Sequence, residues 1–250
     1  MSTATDWRLE RWRGRALVVG CGGIGSALLA ALARRCPQLE LVAASRRPAA
    51  LSGEGLAAVL ELDLEQDASL AALPQRLAGA TPLRLVIHTA GLLQDGAMAP
   101  EKRLAQVQRR HLERSFAVNA FAPLLLARSI EPLLPRDQPF HFASLSARVG
   151  SIADNQLGGW YSYRAAKAAQ NQLLRTLALE WRRRLPLGCV SLLHPGTTAT
   201  ALSAPFRANV PEGQLFSPER AAGHLLDVLE ELRPEDSGSF RAWDGQPIPW

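Results

Sequence analysis

Val18-Val19-Gly20-Cys21-Gly22-Gly23-Ile24-Gly25 joins an apolar run to an amphipathic one through four glycines. Residues 16–19 read as a short buried parallel strand. Residues 24–35 carry Ile24, Leu28, Leu29 and Leu32 at helical spacing. Between them Gly20, Gly22 and Gly25 fit G-x-G-x-x-G. Glycines there let the backbone turn sharply and approach a pyrophosphate closely. The helix start at Gly23-Ile24 offers unpaired N–H groups and a partial positive charge. Strand, turn and helix together predict a dinucleotide held at Gly20, Gly22, Gly23, Ile24 and Gly25.

The same alternation continues outward. Further strands are expected at 39–44, 56–62, 85–88, 140–144, 189–193 and 240–243. Helical spacing marks 69–77, 101–110, 115–134, 161–184 and 218–232; Ser217 suits an N-cap and Pro218 the first helical position. Strands alternating with helices predict an α/β fold, a doubly wound parallel sheet with helices on both faces. No linker or repeat interrupts the pattern. Residues 15–250 therefore read as one Rossmann domain, preceded by an N-terminal extension of residues 1–14. In such a sheet the ligand lies beyond the carboxyl ends of the strands.

A chain of 250 residues can bury one large core. The net charge of +5 comes from arginine, because Lys102 and Lys167 are the only lysines. The arginines are scattered without aromatic interleaving, which argues against nucleic acid. Cys21, Cys36 and Cys189 show no CxxC or Cys/His ligand spacing, so no metal is expected and the thiols read as reduced. The polar N-terminus lacks an apolar h-region, and no run of about 18 apolar residues is present. The expectation is a cytoplasmic protein without a membrane partner.

The second strand ends Ala43-Ala44-Ser45-Arg46-Arg47. A site for NAD would place an acidic residue there for the ribose 2′-hydroxyl, and none stands between Glu40 and Glu54. Ser45 and Arg46 instead suit a 2′-phosphate through charge-assisted hydrogen bonds. NADP(H) is expected in preference to NAD(H).

Gly159-Trp160-Tyr161-Ser162-Tyr163-Arg164-Ala165-Ala166-Lys167 carries the chemistry. Tyr163 and Lys167, four residues apart on a helix, share one face. An ammonium beside a phenol favours the phenolate and so should lower the tyrosine pKa. A phenol tuned that way exchanges a proton with an alcohol or carbonyl oxygen. Tyr161 has Ala165 four residues on and no such partner.

From residues 15 to 245 these features resemble the short-chain dehydrogenase/reductase family. The resemblance implies a single-domain Rossmann fold of about seven parallel strands and a Ser–Tyr–Lys site assisted by an asparagine. It identifies Tyr163 and Lys167 with the Tyr-x-x-x-Lys pair, and Asn119 in Phe116-Ala117-Val118-Asn119-Ala120 with the helix asparagine. Asp63, followed by Leu64, resembles the adenine contact. His88-Thr89-Ala90-Gly91 stands for Asn-Asn-Ala-Gly, which places Ala90 and Gly91 at the cofactor. Pro195-Gly196 follows the sixth strand, with Thr198 and Thr200 where the family approaches the nicotinamide carboxamide. Residues 146–152, 158–164 and 240–250 resemble more specifically the bacterial subgroup that includes C-factor.

The chain departs from the family in three places. Its first turn is one residue shorter than G-x-x-x-G-x-G. His88 and Thr89 replace two asparagines. Ser144 and Ser146 both end the fifth strand, farther from Tyr163 than is usual; Ser146 is nearer and is taken as catalytic. The extra residues 154–158 would form a loop at the substrate mouth.

The resemblance implies a carbonyl–alcohol oxidoreductase. Tyr163 donates the proton, Lys167 tunes it and holds the ribose, Ser146 binds the substrate oxygen, and Asn119 positions a relaying water. Loops 92–100 and 197–213 would close over the substrate with Leu92, Leu93, Met98, Leu202, Pro205, Phe206 and Val210, which suit an apolar or aromatic carbonyl compound. The alternative is a C-factor-like NAD(P)-binding sensor with little turnover. Family analogy implies a homodimer or homotetramer built on the helices that begin at Ser115 and Tyr161.

Overall fold

The computed structural model describes residues 6–48, 55–96 and 98–250. Residues 1–5 of the expected N-terminal extension lie outside the described residues.

Seven strands form one parallel sheet: β1 (Gly14–Val19), β2 (Leu39–Ser45), β3 (Leu56–Glu61), β4 (Leu83–His88), β5 (Phe140–Leu145), β6 (Gly188–His194) and β7 (Ser239–Ala242), in the order β3-β2-β1-β4-β5-β6-β7. Alternate residues face opposite sides. Leu17, Val19, Val86 and Phe142 point into one core; Ala16, Val18, Leu85 and Ala143 point into the other. Helices α1 (Gly23–Arg35) and α6 (Pro218–Glu231) cover the second face. Helices α2 (Asp67–Arg76), α4 (Ala122–Ile130) and α5 (Tyr161–Arg184) cover the first. At the start of α6, Ser217 Oγ accepts from Arg220 N at 3.1 Å, as its cap position predicts.

The chain runs outward from β1 to β3 and then returns to place β4 on the other side of β1. Strand order reverses there. The carboxyl ends of β1 and β4 therefore border a crevice where a ligand can enter.

Two helical expectations need correction. Residues 101–110 do not form a helix; only the short turn Leu104–Gln106 does, and α3 (Arg109–Phe116) starts after an extended Gln108. The polar side chains have other work. Gln106 Oε1 accepts from Lys102 N at 2.7 Å, and Glu101 is drawn into the protein to meet Ser162. The helix expected from residue 115 begins earlier, at Arg109, and widens at Ala117–Phe121, where Ala122 N reaches back to Ala117 O. Such a wide turn skips one carbonyl of the ladder, and it is centred on Asn119.

The described part of the N-terminal extension packs against the α1 side of the sheet. Leu9 and Trp12 are buried, and the His141 ring lies 5.2 Å from Trp7 and 5.4 Å from Trp12.

Candidate active site

The glycine turn is held shut from β4. Gly20 has φ +92, and a Cβ there would stand 2.5 Å from Ala90 N, so only glycine fits. Thr89 N donates to Val19 O at 2.8 Å, and the Thr89 hydroxyl donates to Gly20 O. Threonine thus braces the turn where the family uses asparagine. Gly22 faces open space. Helix α1 has no side-chain cap and no acid in its first turn, which leaves the amides of Gly23, Ile24 and Gly25 for an anion. Uncapped amides above a glycine cradle fit a dinucleotide pyrophosphate.

At the far end of the crevice, Ser45 Oγ accepts from Arg47 N at 3.3 Å. Arg46 is well exposed, 3.7 Å from Glu65, whose carboxylate also contacts Arg114. Asp63 Oδ1 accepts from Glu65 N at 3.0 Å, and Leu64 is buried. Glu65 escaped the sequence reading because its partners are distant in the chain.

Helix α5 starts abruptly. Trp160 takes a left-handed conformation, φ 52, and donates its N–H to Glu101 O at 2.5 Å. The Glu101 carboxylate accepts from Ser162 N at 3.3 Å and from the Ser162 hydroxyl. A buried carboxylate at a helix N-terminus complements the dipole there. This fixes the rotation of α5 and with it the direction of Tyr163, one residue on. No local pattern in the sequence announces Glu101.

Tyr163 and Lys167 are both buried, and Lys167 Nζ lies 5.8 Å from the Tyr163 ring centroid. Burial pushes the phenol above its ordinary value. This corrects the expectation of a lowered tyrosine pKa. Burial also brings Lys167 down to about 7, so its charge is itself weakened near neutrality and does not offset the phenol's desolvation. The phenol therefore holds its proton.

Asn119 clamps the loop after β4. Its side chain accepts from Leu92 N at 2.9 Å, donates to Leu92 O at 2.7 Å and meets Ser115 Oγ at 3.2 Å. A Cβ on Gly91 would lie 3.4 Å from Asn119 Oδ1, 3.7 Å from Leu202 Cδ1 and 4.0 Å from Lys167 Nζ. Gly91, Asn119, Lys167 and the loop after β6 thus meet at one place.

Ser144 Oγ sits between Gln170 Nε2 at 2.8 Å and His88 Nδ1 at 2.9 Å. Ser146 Oγ donates to Asn171 Oδ1 at 2.7 Å. The loop after Pro195-Gly196 is organised by Ser203, which donates to Thr198 O at 2.6 Å and accepts from Thr200 N at 3.1 Å. The Thr200 methyl lies 2.9 Å from where a Cβ on Gly23 would be, so this loop touches the phosphate turn. Trp160 stands 6.3 Å from the Tyr163 ring and 5.1 Å from Phe206. Leu202, on the same loop as Phe206, comes close to Gly91. Leu93 and Met98, expected at the substrate, are buried instead. Residues 155–158 are exposed, and the half-buried Asp154 pairs with Arg148 at 2.6 Å.

Residues 15–211 match the family model described as short chain dehydrogenase. The chain is 32% identical over 203 residues to 1-hydroxy-2-glutathionyl-2-methyl-3-butene dehydrogenase of Rhodococcus sp. (strain AD45), covering 80% of this chain and 83% of that protein. It is 34% identical over 148 residues to C-signal of Myxococcus xanthus, covering 59% and 83%. Among solved structures, NADPH-bound carbonyl reductase from chicken fatty liver superimposes with a TM-score of 0.79 at 25% identity over 96% of this chain and 100% of that one. Carbonyl reductase Sniffer of D. melanogaster gives 0.81 at 25% over the same shares. Among the described residues no helix is long and apolar enough to cross a membrane.

Proposed function

The chain belongs to the short-chain dehydrogenase family and is an NAD(P)-dependent oxidoreductase interconverting a carbonyl and an alcohol, and from that premise we propose that it works as an NADPH-dependent reductase of apolar or aromatic carbonyl compounds. The observation that carries this reading is Tyr163 buried beside Lys167, whose Nζ meets Gly91 and Leu145 O at the carboxyl ends of β4 and β5, with burial raising the phenol pKa. A phenol that keeps its proton is a donor, the form that reduction needs.

When bound, NADPH supplies the hydride. Gly20, Gly22, Gly23, Ile24 and Gly25 hold its pyrophosphate, and Ala90 and Gly91 back the cofactor. Arg46 and Ser45 receive the 2′-phosphate, and Asp63 with Leu64 borders the adenine. Pro195, Gly196, Thr198 and Thr200 border the nicotinamide end. Preference for NADPH is supported by the exposed Arg46 guanidinium and by a NADPH-bound carbonyl reductase among the structures this chain resembles.

Tyr163 gives its proton to the carbonyl oxygen. Lys167 stabilises the resulting phenolate and holds the ribose. Ser146 turns from Asn171 to donate to the same oxygen as negative charge develops. It is preferred to Ser144, whose proton and lone pair both serve buried partners. Asn119 holds Leu92 in place, and the wide turn around it leaves a carbonyl for a relaying water. Trp160, Phe206 and Leu202 receive the apolar part of the substrate.

A continuous absorbance assay of NADPH oxidation over aromatic and aliphatic aldehydes and ketones tests the reading. Turnover strongest with aromatic or branched apolar carbonyls is expected. Tight NADPH binding without oxidation by any carbonyl would overturn it in favour of a sensor.

A further inference from the structure

Lys167 heads a buried hydrogen-bond chain that leads away from the cleft. Its Nζ donates to Gln170 Oε1 at 2.9 Å and to Leu145 O at 2.9 Å. Gln170 Nε2 donates onward to Ser144 Oγ at 2.8 Å. Ser144 Oγ lies 2.9 Å from His88 Nδ1, the two residues being neighbours across β4 and β5. All four side chains are buried.

The direction of this chain follows from the charge at its head. An ammonium has no acceptor, so Gln170 must turn its oxygen to Lys167 and its nitrogen to Ser144. Ser144 then accepts from the amide, and among the described residues its single proton has no acceptor other than His88 Nδ1, which directs it there. His88 is left neutral with its hydrogen on Nε2, an atom with no partner among the described residues. Burial, helped by the Lys167 charge, holds His88 down to about 3, so the ring stays neutral across the working pH range. Every dipole in the series points its negative end at Lys167, and aligned hydrogen bonds of this kind reinforce one another.

No carboxylate pairs with Lys167 among the described residues. The titratable groups facing it are Tyr163 on α5 and His88 on β4. The β4 loop and the wide turn present Gly91 and Asn119, and the turn Arg148–Gly150 presents Gly150 while Arg148 pairs with Asp154. Glu101 meets α5 at Ser162. Among the described residues the cation is supported by these dipoles and the Tyr163 ring rather than by a carboxylate.

We propose that Gln170, Ser144 and His88 are positioning residues, a one-way hydrogen-bond chain that keeps the Lys167 amine charged and aimed at Tyr163. This rests on the reading of Tyr163 and Lys167 as the reacting pair, but its test uses no substrate, so the two can fail separately.

The chain has only two lysines, so protein labelled with ¹³C,¹⁵N-lysine gives two side-chain signals, assigned by Lys102→Arg. Their pH titration reads Lys167 directly. Gln170→Leu should lower the Lys167 midpoint by about one pH unit or more, because a hydrogen bond to a charged group is lost. The near-isosteric Gln170→Glu should raise it. Ser144→Ala, which does not touch Lys167, should lower it by a smaller amount. In the unmodified protein the ¹⁵N spectrum should show His88 as the Nε2–H tautomer. A midpoint unmoved by Gln170→Leu and Ser144→Ala, shifts of the same sign in Gln170→Leu and Gln170→Glu, or a proton on His88 Nδ1 would overturn the proposal. The tautomer measurement needs no variant to fold.

Discussion

Lys167 Nζ lies 5.8 Å from the centre of the Tyr163 ring, and burial moves the two groups in opposite directions. The phenol is held protonated, whereas the amine is brought down to about 7. The phenol is the proton source, and the ammonium stabilises the phenolate that forms when the proton leaves. In the cofactor-free site the amine loses its charge as pH rises through about 7, and with it the support for a phenolate on Tyr163.

The same shift has a stability consequence. Lys167 is lowered from 10.5 to about 7 on folding, so between those values the unfolded chain binds more protons. The folded state gains on the unfolded one as pH rises through this window, and that gain is lost as pH falls to about 7. Lys167→Met removes the dependence. Urea unfolding of the cofactor-free protein at pH 6 and pH 10 should show a smaller rise in stability for the variant than for the parent; an equal rise would assign the lysine an ordinary pKa.

Arg46→Ala should weaken NADPH binding by about 10- to 100-fold, the loss of a charge-assisted hydrogen bond, with little change for NADH. Glu65→Gln should act oppositely, because Glu65 stands 3.7 Å from the Arg46 guanidinium and competes with a phosphate for it. Fluorescence titration with both cofactors checks this. Equal losses for NADPH and NADH in Arg46→Ala would remove Arg46 from the 2′-phosphate.

Ser146→Ala should reduce kcat by about 10²-fold, the usual effect of losing one donor to a developing oxyanion. Ser146 holds a single bond to Asn171, which it can leave. A larger kcat loss in Ser144→Ala than in Ser146→Ala would reverse the serine assignment.

Glu101→Ala should destabilise the fold by about 1–3 kcal/mol, since it strips the buried Ser162 N–H and hydroxyl of their acceptor. Thermal unfolding measures this. Because α5 carries Tyr163, catalysis should fall in the same variant; an unchanged Tm and rate would show that α5 needs no such anchor.

The parallel sheet was legible because each strand is a short apolar run ended by turn residues, and α5 was legible to both ends, Tyr161–Arg184. The glycine turn was legible because its requirement is local. Pairings across many residues were not: Glu101 with Ser162, Arg46 with Glu65 and Gln170 with Ser144 exist only once the sheet is assembled. The helix expected at 101–110 failed for this reason, its polar residues being drawn to distant partners. The Tyr163 pKa was misjudged because two residues four apart reveal proximity but not burial. Thr89, in contrast, supplies a turn brace from a position where the family carries asparagine.

Single-turnover reduction by Tyr163→Phe protein saturated with NADPH tests the central claim most directly. The phenyl ring keeps the packing against Trp160 and removes only the hydroxyl that carries the proton. NADPH binding close to that of the parent, with hydride transfer slowed by about 10²- to 10⁴-fold, is the predicted result. Hydride transfer at the parent rate would contradict it.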